Sequence, residues 1–164
     1  MITEKLSHYV GKVLYHHRTQ GKAVEGVHIR GITDALRAEG VHVDIISLPG
    51  ADPYKSPKAL SPTKQANGLF KLVSRLPEPL FELAELAYNV VAGWRVWRYM
   101  RANRDLDFIY ERYSLFMFCS VLLGRWLNVP VILEVNDSAL VYRVRPLFFQ
   151  SLARWIERWV FTRA

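Results

Sequence analysis

The sequence predicts an α/β domain, a single Rossmann-like unit with a mainly parallel sheet flanked by helices. Two strand–helix–strand units carry this prediction. The first runs from a strand at 12–15 through a helix at 27–39 to a strand at 41–48. The second runs from a strand at 108–110 through an apolar segment at 115–127 to a strand at 131–135. Strands that alternate with helical segments are typical of parallel sheets with right-handed crossovers.

The first unit shows clear helical spacing. Ile29, Ile32 and Leu36 recur at i, i+3 and i+7, and Gly40 supplies a stop for the helix. Residues 16–25 before this helix are predicted to form a polar loop. Pro49 and the glycine after it end the second strand.

A proline-rich excursion separates the two units, at about 51–79, and one short helix is expected within it at 65–73. A long helix at 78–103 follows, in which Leu80, Leu83 and Trp94 belong to an apolar set at helical spacing. The last helix is predicted to begin with Pro146 at its first position, and its apolar face includes Trp155. The domain prediction therefore covers residues 1–164 as one unit.

Composition narrows the class of protein. The chain has 164 residues, of which 51% are hydrophobic and 23% charged, values that suit one globular domain. Cys119 is the sole cysteine, which excludes an internal disulfide and fits a reducing compartment. The first residues do not form a secretory signal, and no apolar run is long enough to span a bilayer.

The net charge of +7 and the mixtures of tryptophan and arginine at 94–101 and 154–159 leave three interpretations open. Basic and aromatic residues bind single-stranded nucleic acid, and they also suit a helix that lies on anionic lipid. The third interpretation places the tryptophans in the core and the arginines in solvent.

Polar residues follow the strands of the second unit. In an open parallel sheet, ligands bind beyond the carboxyl ends of the strands. The sequence therefore predicts one functional edge, which contains Glu111, Arg112, Ser114, Asn136 and Asp137.

Several alternatives remain open at this edge. Glu111 and Asp137 are a candidate carboxylate pair for hydrolysis. Alternatively, Glu111 forms an ion pair with Arg112 or another arginine at the edge of the sheet. Glu134, if buried in its strand, needs a partner such as an arginine. The turn after residue 135 is expected to direct Asn136 to the ligand while Glu134 stays in the sheet.

The loop after the first strand is the other candidate site. Gly21 and Gly26 let a backbone approach a ligand, and the N-terminus of the following helix favours anions. His16 and His17 are adjacent, so their side chains diverge. No metal site is expected there; His17 is a candidate ligand contact.

These residues together resemble the N-terminal half of family 4 glycosyltransferases of the GT-B fold. The resemblance rests on KVLY at 12–15, EGVHIR at 25–30, LRAEGVHVD at 36–44, DFIYERYS at 107–114 and PVILEVN at 130–136. The closing segment ARWIERWVFTRA is similar to the helix that precedes the next strand of that half. The resemblance covers nearly the whole chain.

The resemblance implies two Rossmann-like domains with different roles, which face each other across a cleft. The N-terminal domain receives the acceptor, and the C-terminal domain holds the nucleotide-sugar. This chain ends before such a donor-binding domain, so the chain alone is expected to be inactive. Members commonly retain the anomeric configuration, and no metal or other cofactor is expected.

The resemblance also implies residue roles. Asn136 stands where many members have a histidine close to the transferred sugar, and Asn136 and Asp137 are expected to take part in catalysis. The expected substrate-binding residues are His17, Gly21, Glu25, Gly26, Glu111, Arg112 and Ser114.

The resulting expectation is a glycosyltransferase domain for cell-surface polysaccharide or glycolipid synthesis. Its expected partners are a nucleotide-sugar donor, a sugar or lipid-linked acceptor and an anionic membrane surface, without nucleic acid. The expected location is cytoplasmic, peripheral on the inner face of the membrane. One alternative is a non-catalytic binding or partner module of a split enzyme; another, supported only by charge, is a nucleic-acid-binding domain.

Overall fold

Strands and helices alternate along the part of the chain that the structure describes, residues 11–21, 23–55, 76–140 and 147–164, in a computed structural model. The strands are β1 (Lys12–His17), β2 (His42–Ile46), β3 (Phe108–Tyr113) and β4 (Val131–Val135). The helices are α1 (Ala23–Ala38), α2 (Glu78–Ala102), α3 (Cys119–Leu127) and α4 (Gln150–Phe161).

All strand pairs of the sheet are parallel, and the strand order is β2-β1-β3-β4. The predicted fold class, an α/β Rossmann-like arrangement, is thus confirmed. The register places His16 beside Glu111 and His17 beside Arg112. It also places Arg112 beside Glu134, so three neighbouring strands carry polar residues at the same end of the sheet.

The helices cover the two faces of the sheet unequally. On one face, Ile29 of α1 packs with Val13, Tyr15 and Val43 of the sheet. The other face is covered by α2, α3 and α4. There, Leu14 and Ile109 pack against α2 and α3, and a second cluster joins Tyr113 and Val121 to the buried residues of α4.

The long helix α2 lies where the sequence predicts it, but its predicted apolar stripe faces outward. Leu80, Leu83 and Trp94 are exposed, whereas Glu82, Asn89, Ala92, Val96 and Met100 form the buried side. Pro79 fits in the first turn because the amide groups there need no partner within the helix. The spacing of apolar residues predicted the helix correctly. It did not predict which side is buried, because the buried side includes the polar residues Glu82 and Asn89.

Several boundaries differ from the sequence predictions; for example, α1 begins at Ala23 and β2 ends at Ile46. His16 and His17 belong to β1, and Glu111 and Arg112 belong to β3, although polarity placed all four in loops. The segment 115–118 forms a turn, so α3 begins only at Cys119. Helix α4 begins at Gln150.

Two further sequence predictions, the proline-rich excursion with its short helix and the position of Pro146, fall on residues that the structure does not describe. Residues 56–75 contain most of the proline-rich excursion and its expected short helix, and Pro146 lies within the segment 141–146. Among the described helices, none is long and apolar enough to cross a membrane.

Candidate functional site

Polar side chains collect at the carboxyl ends of β1, β3 and β4. The chain runs from β1 to β2 on one side and later crosses to β3 on the other side, so the space beyond β1 and β3 is a topological switch point. Successive strand residues point to opposite faces, which divides the polar residues into two clusters. The α1-side cluster consists of Tyr15, His17, His28, Arg112, Glu134 and Asn136, and the α2-side cluster of His16, Glu111 and Ser120.

The carboxylate of Glu134 is the centre of the α1-side cluster. It accepts hydrogen bonds from the side chains of Arg112 and Asn136 and, at 3.0 Å, from the hydroxyl of Tyr15. Nε2 of His28 on α1 lies 2.9 Å from the same carboxylate. Burial, and then the charge of Glu134, raises the pKa of Tyr15, so its hydroxyl remains a donor. The predicted arginine partner of Glu134 is therefore Arg112.

His17 lies beside this network with one ring nitrogen available. Its Nδ1 lies 3.2 Å from the hydroxyl of Thr19, while its buried Nε2 has no hydrogen-bond partner within the described part of the chain. Burial, and then the neighbouring His16, lowers the pKa of His17 to about 4. The ring is therefore neutral near pH 7, and it can exchange a hydrogen bond with a hydroxyl group.

The α2-side cluster is fully enclosed. Nδ1 of His16 lies 2.8 Å from the hydroxyl of Ser120 on α3 and 3.5 Å from Oε2 of Glu111. A Ser-His-carboxylate triad places the serine and the carboxylate at opposite ring nitrogens, whereas here both approach Nδ1. His16, Glu111 and Ser120 are all buried, so this cluster is enclosed. In the α1-side cluster His17 is equally buried, and the exposed members are His28 and Asn136.

A buried asparagine on α2 holds the turn between β3 and α3, the segment that leads from Ser114 to Ser120. Asn89 donates to the carbonyl of Phe116 at 2.8 Å and accepts from the amide of Phe118 at 2.9 Å. Phe116 has φ of 63°, a conformation that is costly for a bulky side chain and is held here by its surroundings. The turn is therefore rigidly positioned next to the site.

The glycines of the β1–α1 loop are required by close backbone packing. A Cβ at Gly21 would overlap the carbonyl of Ala51, and one at Gly26 would overlap the carbonyl of Gly21. Gly21 also has φ of 64°, which favours glycine. The two residues hold the start of α1 close to the loop after β2, while Glu25 is exposed in the first turn of α1.

The structure brings together only part of the predicted edge. Arg112 and Asn136 meet at Glu134, and Ser114 and Asp137 are half-buried directly beyond the ends of β3 and β4. Glu111 lies on the opposite face, 3.5 Å from Nδ1 of His16, whereas Arg112 pairs with Glu134. The Glu111–Arg112 ion pair is therefore wrong. Enclosure of Glu111 also opposes its pairing with Asp137 as a hydrolytic carboxylate pair.

Sequence reasoning missed three members of the clusters. Tyr15 shares a strand face with His17, so alternation along a longer β1 would have identified it. His28 and Ser120 come from helices, and no local pattern indicates which strand end they reach. Among the described residues, no group of three or more His, Cys, Asp or Glu side chains could hold a metal ion.

Comparison with protein families identifies the family to which this domain belongs. The family model for the glycosyl transferase 4-like domain matches residues 25–164, which include α1 from Glu25 onward and every later element. The chain belongs to the glycosyl transferase 4-like domain family. Comparison with curated proteins and with solved structures finds no match.

Membership of this family makes the chain a glycosyltransferase module with a Rossmann-like fold. The match begins at Glu25, so His28 of α1 and the residues of β3 and β4 in the α1-side cluster lie inside it, while β1 precedes it. The predicted family resemblance is thereby confirmed.

Proposed function

We propose that this domain binds the acceptor in the transfer of a sugar from a nucleotide-sugar donor, and that the α1-side cluster is the acceptor site. The single observation that carries this proposal is the cluster itself. A glycosyltransferase family domain has Asn136, Arg112 and His17 together at the carboxyl ends of its strands. That is where an open parallel sheet binds its ligands.

The chemistry of the cluster favours hydroxyl groups over a phosphate. The charge of Arg112 is compensated by Glu134, and His17 is neutral near pH 7. The amide of Asn136 both donates and accepts hydrogen bonds, as a sugar hydroxyl does. We therefore propose a sugar or lipid-linked acceptor, for synthesis of a cell-surface polysaccharide or glycolipid.

Positioning and electrostatic stabilisation account for the contribution of this chain to transfer. We propose that Asn136 and Asp137 meet the reacting sugar, with retention of the anomeric configuration. Gly21 and Gly26 shape the loop beside the acceptor, and Glu25 and Ser114 line its approach. The donor is held mainly by a second domain, so the 164-residue chain alone should bind acceptor without transferring sugar.

The proposed location is the cytoplasm, peripherally on the inner face of the membrane. Burial raises the pKa of the Cys119 thiol, which makes this thiol unreactive. The support for a reducing compartment is that a single cysteine forms no internal disulfide. A lipid-linked acceptor would be presented at that surface.

The test of this function is saturation-transfer NMR of the purified chain with sugars, water-soluble glycolipid headgroups and nucleotide-sugars. We expect signals from at least one sugar or headgroup class, and we expect Asn136→Ala to remove them. His42→Ala, a change on the exposed edge of β2, is the matched control and should preserve them. Binding of nucleotide-sugars alone, unaffected by Asn136→Ala, would refute the acceptor role.

A further inference from the structure

The outer surface of helices α2, α3 and α4 combines large exposed apolar side chains with arginines. Trp94 on α2 is 56% exposed, Trp126 on α3 is 69% exposed, and Trp155 on α4 is 64% exposed. Leu83, Val91 and Leu122 are exposed on the same helices. Single exposed apolar residues need no explanation, but several on one layer of helices mark an interaction surface.

The charge of this layer has one sign. The exposed arginines of the three helices are Arg98, Arg101, Arg125, Arg154 and Arg158. Every glutamate of these helices is buried or half-buried. Glu82 and Glu157, for example, accept hydrogen bonds from backbone amides of Phe148 and Ala139.

Helix α1, on the other face of the sheet, shows the contrast. It also exposes apolar side chains, Val24 and Val27, but its exposed surface includes the carboxylates of Glu25 and Asp34. Mixed charge is typical of a solvated surface. The arginine-only surface is therefore a property of the α2–α4 layer and not of all the helices.

Arginine and tryptophan also lie in contact within this layer. The guanidinium of Arg98 lies 5.2 Å from the ring centre of Trp94, and that of Arg101 lies 5.5 Å from the ring centre of Trp97. Such pairs place an apolar ring and a cation at the same depth, which suits the boundary between lipid headgroups and acyl chains.

We infer that the outer surface of α2, α3 and α4 binds an anionic lipid bilayer. This inference deepens the proposed peripheral location and rests on it. The partner is a lipid surface, because complementarity to arginines without exposed carboxylates requires an anionic partner, and the tryptophan and leucine side chains require an apolar one. A bilayer that contains anionic lipid offers both over the area of three helices.

The first experiment measures sedimentation of the chain with vesicles of phosphatidylcholine and phosphatidylglycerol, and with vesicles of phosphatidylcholine alone. We expect binding only to the anionic vesicles and a decrease in binding at high salt. Arg125→Glu/Arg158→Glu and Trp126→Ser/Trp155→Ser should each lower the binding constant by about tenfold or more. These side chains are exposed, so the variants should keep the circular dichroism spectrum of the wild type.

The matched controls lie on the other side of the sheet or near α1. Val24→Ser/Val27→Ser removes exposed apolar groups from α1, and Lys55→Glu reverses an exposed charge in the turn after β2. Both should bind like the wild type. The inference is overturned if the wild type does not bind anionic vesicles, or if the layer variants and the controls bind alike.

Two further outcomes would also overturn it. One is a wild-type dimer in sedimentation equilibrium that Trp126→Ser/Trp155→Ser dissociates, without any vesicle binding. The other is an absence of tryptophan quenching by brominated lipid in vesicle-bound protein. Because the assay contains no sugar, its failure leaves acceptor binding at the α1-side cluster to be decided separately by the NMR test.

Discussion

The carboxylate of Glu134 accepts a hydrogen bond from the side-chain amide of Asn136, two residues further along the chain. The sequence predicted that the turn after β4 directs Asn136 away from Glu134. In the structure, Asn136 instead lies on the same face as Glu134. The NH2 group of Asn136 donates to Glu134, and the described residues supply no donor for its carbonyl oxygen, which can therefore accept a hydrogen bond from a ligand hydroxyl. Glu134 is thus a positioning residue for Asn136 as well as the partner of Arg112.

Asn136→Ala and Glu134→Gln should separate binding from stability. Asn136 is exposed, so Asn136→Ala should weaken acceptor binding and leave the melting temperature close to that of the wild type. Glu134→Gln leaves the buried guanidinium of Arg112 without a charged partner, which should cost on the order of 2 kcal/mol of unfolding free energy. Chemical denaturation and ligand titration of both variants measure the two effects. Glu39→Gln, at an exposed glutamate, serves as the control.

The stability of the fold should decrease as the pH falls from about 6.5 to about 4, in part because of His17. The lowered pKa means that the unfolded chain takes up a proton in this range while the folded chain does not. Protons therefore favour the unfolded state, and the loss is roughly 3 kcal/mol when the full range is crossed. His17→Gln should reduce that loss, as measured by urea unfolding at several pH values.

The control for His17→Gln is His42→Gln, which changes an exposed histidine of β2. In this control the unfolding free energy should decrease with falling pH as steeply as in the wild type. If wild type and His17→Gln lose stability equally over the same pH range, then His17 is not held neutral by the fold.

Gly26→Ala should destabilise the domain, whereas Gly31→Ala in the same helix should not. A methyl group at Gly26 would overlap the backbone of Gly21, and the loss should be about 1–3 kcal/mol. Apart from the backbone of the helix itself, no atom of the described residues lies within 4 Å of a Cβ at Gly31. Alanine there should add up to about 1 kcal/mol through helix propensity. Urea denaturation measures both. Equal effects of the two substitutions would contradict the close packing of the loop.

Glu82→Ala should destabilise the start of α4. The carboxylate of Glu82, on α2, accepts hydrogen bonds from the amides of Phe148 and Phe149 at 2.6 and 2.8 Å. No side chain at the N-cap position, Phe149, performs this role. We expect a loss of roughly 1–3 kcal/mol, because two amides lose their acceptor at a helix N-terminus. An unchanged melting temperature, equal to that of Glu39→Ala, would argue against this long-range cap.

The elements with a consistent local pattern were predictable from sequence. The bounds of β4 are those that its apolar run and flanking residues indicate, and those of α2 agree within one residue. The ends of β1 and β3 were not predictable, because His16, Glu111 and Arg112 are polar residues inside strands. His16 and Arg112 are tolerated there because partners on other elements, Ser120 and Glu134, compensate for their burial. Glu111 has Nδ1 of His16 at 3.5 Å from its carboxylate.

The location of the candidate site was predictable from sequence, but only some of the side-chain contacts within it were. Strand ends and parallel pairing located Arg112 and Asn136 at one edge, but alternation within β3 sends Glu111 to the other face. The contributions of His28 and Asn89 come from helices distant in sequence. Such contacts depend on how helices pack on the sheet, which residue spacing alone does not specify.

Chemical-shift mapping shows whether the α1-side cluster binds the acceptor. Backbone amide spectra of the 15N-labelled chain should be recorded during titration with the sugar or headgroup that gives saturation-transfer signals. We expect the largest shifts at His17, Arg112 and Asn136, with smaller shifts in the first turns of α1. If the shifts are confined to the amino ends of the strands and these three residues are unchanged, then the α1-side cluster is not the acceptor site.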